Sequence, residues 1–121
     1  MEEKIVYVDD DPTILGLVRD YLAQEEFCIF TAANGTDAMK LIENQAPDLV
    51  LLDWMLPDIS GLEICKYLRE SSSIPIIMLT GRSGESERVL AFEAGVDDFI
   101  IKPFNLLELV ARIRSVLRRS A

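Results

Sequence analysis

Asp9, Asp10, Asp11, Asp53, Thr80 and Lys102 are the residues of this 121-residue chain whose types and places could do chemistry together. Each site follows a short apolar run. Ile5-Val6-Tyr7-Val8 precedes the three aspartates, Leu49-Val50-Leu51-Leu52 precedes Asp53, Ile76-Ile77-Met78-Leu79 precedes Thr80, and Phe99-Ile100-Ile101 precedes Lys102. Such runs, without polar alternation, read as strands buried on both faces of a parallel sheet. The strand ends then share one edge, where open α/β folds bind ligands. Three or four carboxylates, a hydroxyl and an ammonium converge there. The carboxylates repel one another, and one lysine cannot neutralise them. A hard divalent cation held by oxygens, Mg2+, is the natural answer. The chain has no histidine, which removes His-based metal sites, triads and acid–base chemistry. What remains suits phosphoryl transfer: metal and lysine neutralise phosphoryl oxygens, the hydroxyl donates a hydrogen bond, and a carboxylate is the nucleophile. Taken alone, Asp53 would read equally well as a turn cap. Its company raises it.

The segments between these strands must position them. Asp11 and Pro12 have the order of a helix cap and first turn, and Ile14, Leu15, Leu17, Val18, Tyr21 and Leu22 recur at helical spacing. Cys28-Ile29-Phe30-Thr31 reads as a second strand and Asn34-Gly35 as a turn. Ala38, Met39, Leu41 and Ile42 stripe a second helix that ends before Pro47. Ser60 and Glu63 have capping-box spacing and open a third helix that buries Leu62, Ile64, Cys65 and Leu68. After a polar stretch from Arg82 to Glu87, Val89, Leu90 and Phe92 mark a fourth helix stopping at Gly95. Asn105 and Glu108 pair in the same way before a last helix striped by Leu106, Leu109, Val110, Ile113, Val116 and Leu117. Five strands alternating with five helices predict an α/β fold in one domain, residues 1–121. Its five-stranded parallel sheet has order 2-1-3-4-5, a flavodoxin-like (βα)5 three-layer sandwich.

No stretch approaches the ~18 uninterrupted apolar residues of a membrane span. Met1-Glu2-Glu3-Lys4 lacks signal-peptide architecture. Cys28 and Cys65 lie outside any CxxC spacing and read as buried free thiols. The expected setting is the cytoplasm, with no membrane partner. Net charge is −9, divided as 7 − 20 = −13 over residues 1–101 and 5 − 1 = +4 over residues 102–121. An acidic body argues against this domain gripping nucleic acid itself. The short basic end reads as a solvated helix face favoured by the helix dipole. Leu49 to Asp53 looks like a Walker B strand, but no GxxxxGK[ST] loop accompanies it. Three aspartates after the first strand would repel a flavin phosphate, and a phosphatase of the haloacid dehalogenase type would need an aspartate where Met55 stands.

Val8-Asp9-Asp10, the Leu51-Leu52-Asp53-Trp54-Met55-Leu56-Pro57 run with Ser60-Gly61, Met78-Leu79-Thr80, Ala94-Gly95 with Asp97-Asp98, and Lys102-Pro103-Phe104 together resemble a CheY-like response-regulator receiver domain over essentially the whole chain. The resemblance implies that Asp53 accepts a phosphoryl group from a sensor histidine kinase. It implies Mg2+ surrounded by Asp9, Asp10, Asp53 and the Met55 carbonyl, phosphoryl oxygens held by Thr80 and Lys102, and a cis Lys102–Pro103 bond. It also implies a switch through Thr80 and Phe99, and no conventional enzyme activity beyond the domain's own phosphorylation and dephosphorylation. Phe99 reads equally as a packed strand aromatic. Asp11 reads as a helix cap, Asp48 and Asp58 as turn or solvent residues, and Trp54 as loop packing.

The Trp54–Pro57 loop and the Glu108–Ile113 segment most resemble the OmpR/PhoB transcription factors. That implies transcription regulation, with DNA contacted only through a C-terminal domain beginning after Arg119. It also implies a homodimer on phosphorylation, through the face carrying Arg88, Asp97, Asp98, Glu108 and Arg112. Arg88 with Glu108 and Asp98 with Arg112 would be the pairs crossing the two-fold axis. The alternative is a stand-alone receiver serving as a phosphorelay intermediate or protein-binding module. A Mg2+-dependent hydrolase is weaker, because no general base accompanies Asp53.

Overall fold

In the computed structural model, which describes residues 2–82 and 84–120, the apolar runs are the strands. They are β1 (Lys4–Val8), β2 (Cys28–Ala32), β3 (Leu49–Asp53), β4 (Ile76–Thr80) and β5 (Asp98–Ile101). Helices α1 (Pro12–Gln24), α2 (Gly35–Gln45), α3 (Gly61–Arg69), α4 (Glu85–Ala94) and α5 (Leu106–Ser120) alternate with them. The sheet is parallel in the order β2-β1-β3-β4-β5, as the sequence predicts.

Alternation along each strand divides the core in two. Val6, Val8, Val50, Leu52 and Met78 face the layer of α2, α3 and α4. Ile5, Tyr7, Leu49, Leu51, Ile77 and Leu79 face the layer of α1 and α5. No helix of the described residues is long and apolar enough to cross a membrane.

Side-chain caps start four of the helices. Asp11 accepts from the N–H groups of Thr13 and Ile14 at 2.9 and 3.3 Å, and Ser60 from that of Glu63 at 3.2 Å. Asn105 accepts from Leu107 and Glu108 at 2.7 and 3.2 Å. Asn34 accepts from Asp37 at 2.8 Å, so Asn34-Gly35 is a helix start rather than a turn. The Glu63 carboxylate lies 3.8 Å from Lys66, and only the serine half of the expected box forms.

Other expectations need correction. α4 begins at Glu85, so Glu85, Ser86 and Glu87 are helical rather than loop; Ser83 lies outside the described residues. Val89, Leu90 and Phe92 are exposed, and α4 packs through Ala91 and Ala94. Leu17 faces solvent, because it falls outside the arc of α1, Ile14, Leu15, Val18, Tyr21 and Leu22, that meets the sheet. Leu62 and Cys28 are half-buried, the first at the margin of its core layer and the second on the edge strand β2.

Candidate functional site

The strand ends meet as expected. Asp9 directly follows β1, Asp53 ends β3, Thr80 ends β4 and Lys102 directly follows β5. Register ties them together, with Asp53 beside Leu79 and Thr80 beside Ile101. Asp9, Asp53 and Thr80 are buried; Asp10 is exposed. One carboxylate oxygen from each of Asp9, Asp10 and Asp53 lies within 4.8 Å of the others. Lys102 Nζ bridges two of them, at 2.7 Å from Asp9 Oδ2 and 3.0 Å from Asp53 Oδ2. The Lys102–Pro103 peptide is cis.

Three carboxylates against one ammonium leave a formal excess of 1 − 3 = −2 in this pocket. Burial raises the Asp53 carboxyl above its ordinary value, and the hydrogen bond and charge of Lys102 offset part of that rise. Burial would lower the Lys102 ammonium, but its bonds to Asp9 and Asp53 outweigh burial and raise it. An all-oxygen donor set with uncompensated negative charge fits a hard divalent cation such as Mg2+. Asp9, Asp10 and Asp53 are the side chains that could hold it. Met55 stands against the pocket with its N–H 3.3 Å from Asp53 Oδ1.

The loop between β3 and α3 is fastened twice. Gly61 N–H bonds to Trp54 O at 2.8 Å, and a Cβ at position 61 would collide with the Asp53 carbonyl oxygen, so only glycine fits. Asp58 reaches back to the start of α2, accepting from Gly35 N, Thr36 N and Thr36 Oγ1 at 2.7, 2.9 and 2.7 Å. These bonds, led by the Thr36 hydroxyl, hold its carboxyl well below the ordinary value. Asp58 is exposed in the loop, as read from the sequence, and is also a staple. Asp48 likewise accepts from Lys4 N at 2.7 Å.

The opposite wall is β4 and its loop. Thr80 Oγ1 accepts from Arg82 N at 3.1 Å. The Arg82 guanidinium lies 5.1 Å above the Trp54 ring, with Nε 3.3 Å from Met55 Sδ. Trp54 is buried packing, as read from the sequence, and also the seat of Arg82. Phe99 is buried beneath the Arg88 guanidinium, which lies 5.7 Å from its ring centre.

The charged face is satisfied within the chain. Arg112 bonds Asp98 at 3.1 Å and Glu108 at 2.9 Å. Asp97 bonds Arg69 at 3.1 Å and Ile76 N at 2.8 Å. Sequence reasoning missed Asp58 and Tyr7 as site residues. Tyr7 Oη donates to Asp9 Oδ2 at 2.9 Å, a contact foreshadowed by their two-residue spacing on one strand face.

Comparison with known proteins agrees with this geometry. The family described as response regulator receiver domain matches residues 5–114. Transcriptional regulatory protein ResD of Bacillus subtilis (strain 168) is 45% identical over 120 residues, covering 99% of this chain and 50% of that protein. The chain thus spans about half the length of this curated relative. The BeF3-activated receiver domain of Klebsiella pneumoniae RstA is 37% identical with a TM-score of 0.91, covering 95% of this chain and 98% of that one. DrrB, described as a Thermotoga maritima OmpR/PhoB homologue, is 40% identical with a TM-score of 0.90, covering 99% of this chain and 54% of that one.

Proposed function

Because the chain belongs to the response-regulator receiver family, we propose that Asp53 is its phosphoacceptor and that phosphorylation changes the surface it offers to partners. Receiver domains are signalling modules of two-component systems, and a sensor histidine kinase is the partner this family implies. The observation that carries the proposal is Lys102 Nζ between Asp9 and Asp53 at the buried strand edge.

An Asp53 carboxylate oxygen forms a bond to phosphorus as the phosphorus–nitrogen bond of the kinase's phosphohistidine breaks, and the imidazole nitrogen leaves with the electron pair. Lys102 and the Thr80 hydroxyl hold the phosphoryl oxygens. When bound by Asp9, Asp10, Asp53 and the Met55 carbonyl, Mg2+ supplies charge neutralisation for this transfer. Thr80, drawn to the phosphoryl group, pulls the loop to α4, and Phe99 repacks beneath it.

We further assign the chain to transcription regulation in the cytoplasm, on the strength of ResD and DrrB. DNA is contacted through a C-terminal domain following α5. The phosphorylated form is a homodimer through α4, β5 and α5, in which Arg88, Asp98, Glu108 and Arg112 exchange their partners within the chain for partners across the axis.

Incubation with acetyl phosphate and Mg2+ tests the phosphoacceptor. Wild type takes up acid-labile phosphate, and Asp53→Asn folds but takes up none. Labelling of Asp53→Asn at wild-type stoichiometry would refute the assignment.

A further inference from the structure

Tyr7 is fully buried, yet it carries a hydroxyl into the acidic pocket. Ile5, Tyr7 and Asp9 point to the same side of β1, and the phenol spans the distance from position 7 to the Asp9 carboxylate. Asp9 Oδ2 accepts from Tyr7 Oη at 2.9 Å and from Lys102 Nζ at 2.7 Å. Asp9 Oδ1 accepts from Asp11 N at 3.0 Å. Two donors thus share one oxygen, and one of them, Lys102, is also claimed by Asp53 at 3.0 Å. An aliphatic side chain would fill the same core layer, so packing alone gives no reason for the hydroxyl.

We propose that Tyr7 is a positioning residue that frees Lys102. Its hydroxyl satisfies Asp9 Oδ2 from below, so the ammonium can leave that oxygen for phosphoryl oxygens on Asp53 without stranding it. Asp11 N serves only Oδ1, and a buried carboxylate oxygen that loses its last donor bears a desolvation cost. The phenol keeps one donor on Oδ2 throughout. This deepens the phosphoacceptor reading and rests on it.

Tyr7→Phe keeps the ring and deletes only the oxygen. Lys102 then becomes the sole side-chain donor to Asp9 and is held there. The initial rate of phosphate uptake from acetyl phosphate should fall roughly tenfold to a hundredfold, the size of one hydrogen bond to a charged group. Mg2+, titrated against the fluorescence of Trp54, should bind more tightly, because Asp9 with one hydrogen-bond donor fewer is the stronger oxygen ligand. Ile5→Val loosens the same core layer without removing a donor and should move neither quantity. Opposite shifts of rate and Mg2+ affinity in Tyr7→Phe support the proposal. Unchanged values, two losses in parallel, or the same shifts in Ile5→Val overturn it. A wild-type chain that takes up no phosphate would defeat the phosphoacceptor reading instead, and the Mg2+ titration would still judge Tyr7.

Discussion

The two helices that flank β5 meet the sheet in opposite ways. α5 sends Leu109, Val110, Ile113 and Val116 into the core and starts from the Asn105 cap. α4 buries only Ala91 and Ala94, and among the described residues it is the helix whose start has no side-chain cap. Its large apolar residues, Val89, Leu90 and Phe92, are 51, 47 and 45% exposed. Fully burying a Leu or Phe side chain contributes about 1.5–3 kcal/mol, and an alanine methyl about 0.8 kcal/mol at most. α5 is therefore anchored, while α4 rests lightly on the sheet and keeps its apolar area for something outside. The lightly held helix is the one that follows Thr80. Motion is least costly where the proposed switch would need it, and apolar surface is exposed where a partner could cover it.

The largest effect should separate the helices in urea unfolding. Ile113→Ala should cost roughly 2–5 kcal/mol, the range for emptying a core position. Phe92→Ala should change stability by less than about 0.5 kcal/mol. Similar costs for the two would erase the distinction.

The comparison sharpens if the spare face of α4 has a use. With beryllium fluoride and Mg2+, wild type should dimerise in sedimentation, and Phe92→Asp should weaken that dimer on the order of tenfold. Arg112→Ala should also weaken it, with a stability loss below about 1 kcal/mol, since its ion pairs are partly exposed. A dimer indifferent to both changes would place the interface elsewhere.

The smallest effects come from pH and report the site rather than either helix. Tyr7, raised by burial and by the neighbouring Asp9, and Lys102, raised by its carboxylates, keep protons in the folded chain that the unfolded chain loses above 10.0 and 10.5. Their stabilisation is complete below about pH 10 and declines as pH rises past it. The alkaline limb of an unfolding profile should flatten in Tyr7→Phe. Asp53 has the opposite consequence for a carboxylate: with its value raised above 3.8, the folded chain holds the proton more firmly. Metal-free stability should gain as pH falls from neutrality toward that value, and Asp53→Asn should be more stable than wild type at neutral pH without Mg2+.

Much of this was legible in the sequence because strand ends in a parallel sheet share an edge. Once the apolar runs ending at Asp9, Asp53, Thr80 and Lys102 are recognised, topology assembles the pocket. The caps at Asp11, Ser60 and Asn105 were equally readable, being local in sequence. The packing face of α4 was not. Helical spacing gives weight to Val89, Leu90 and Phe92 and little to Ala91 and Ala94, although the small residues are what let the helix lie close to the sheet. Asp58 bonds residues 22 and 23 positions away, and no local signal announces such a contact. Tyr7 was hidden by its ring, which made it one more apolar residue in a strand. The pairing of Arg112 with Glu108 follows from helical spacing, but its pairing with Asp98 required the fold.

Gly61 gives the pocket the mechanics of a vise. The Gly61 to Trp54 bond closes the loop into a buckle, with Asp53 pressed against the first turn of α3 and Asp58 riveting the same loop to α2. That jaw cannot shift without dragging two helices. The facing jaw, Thr80-Gly81-Arg82, has open space at Gly81 and leads into the lightly seated α4. A group gripped between the jaws, as the proposed phosphoryl group would be, would move only this second side and pass its force to α4.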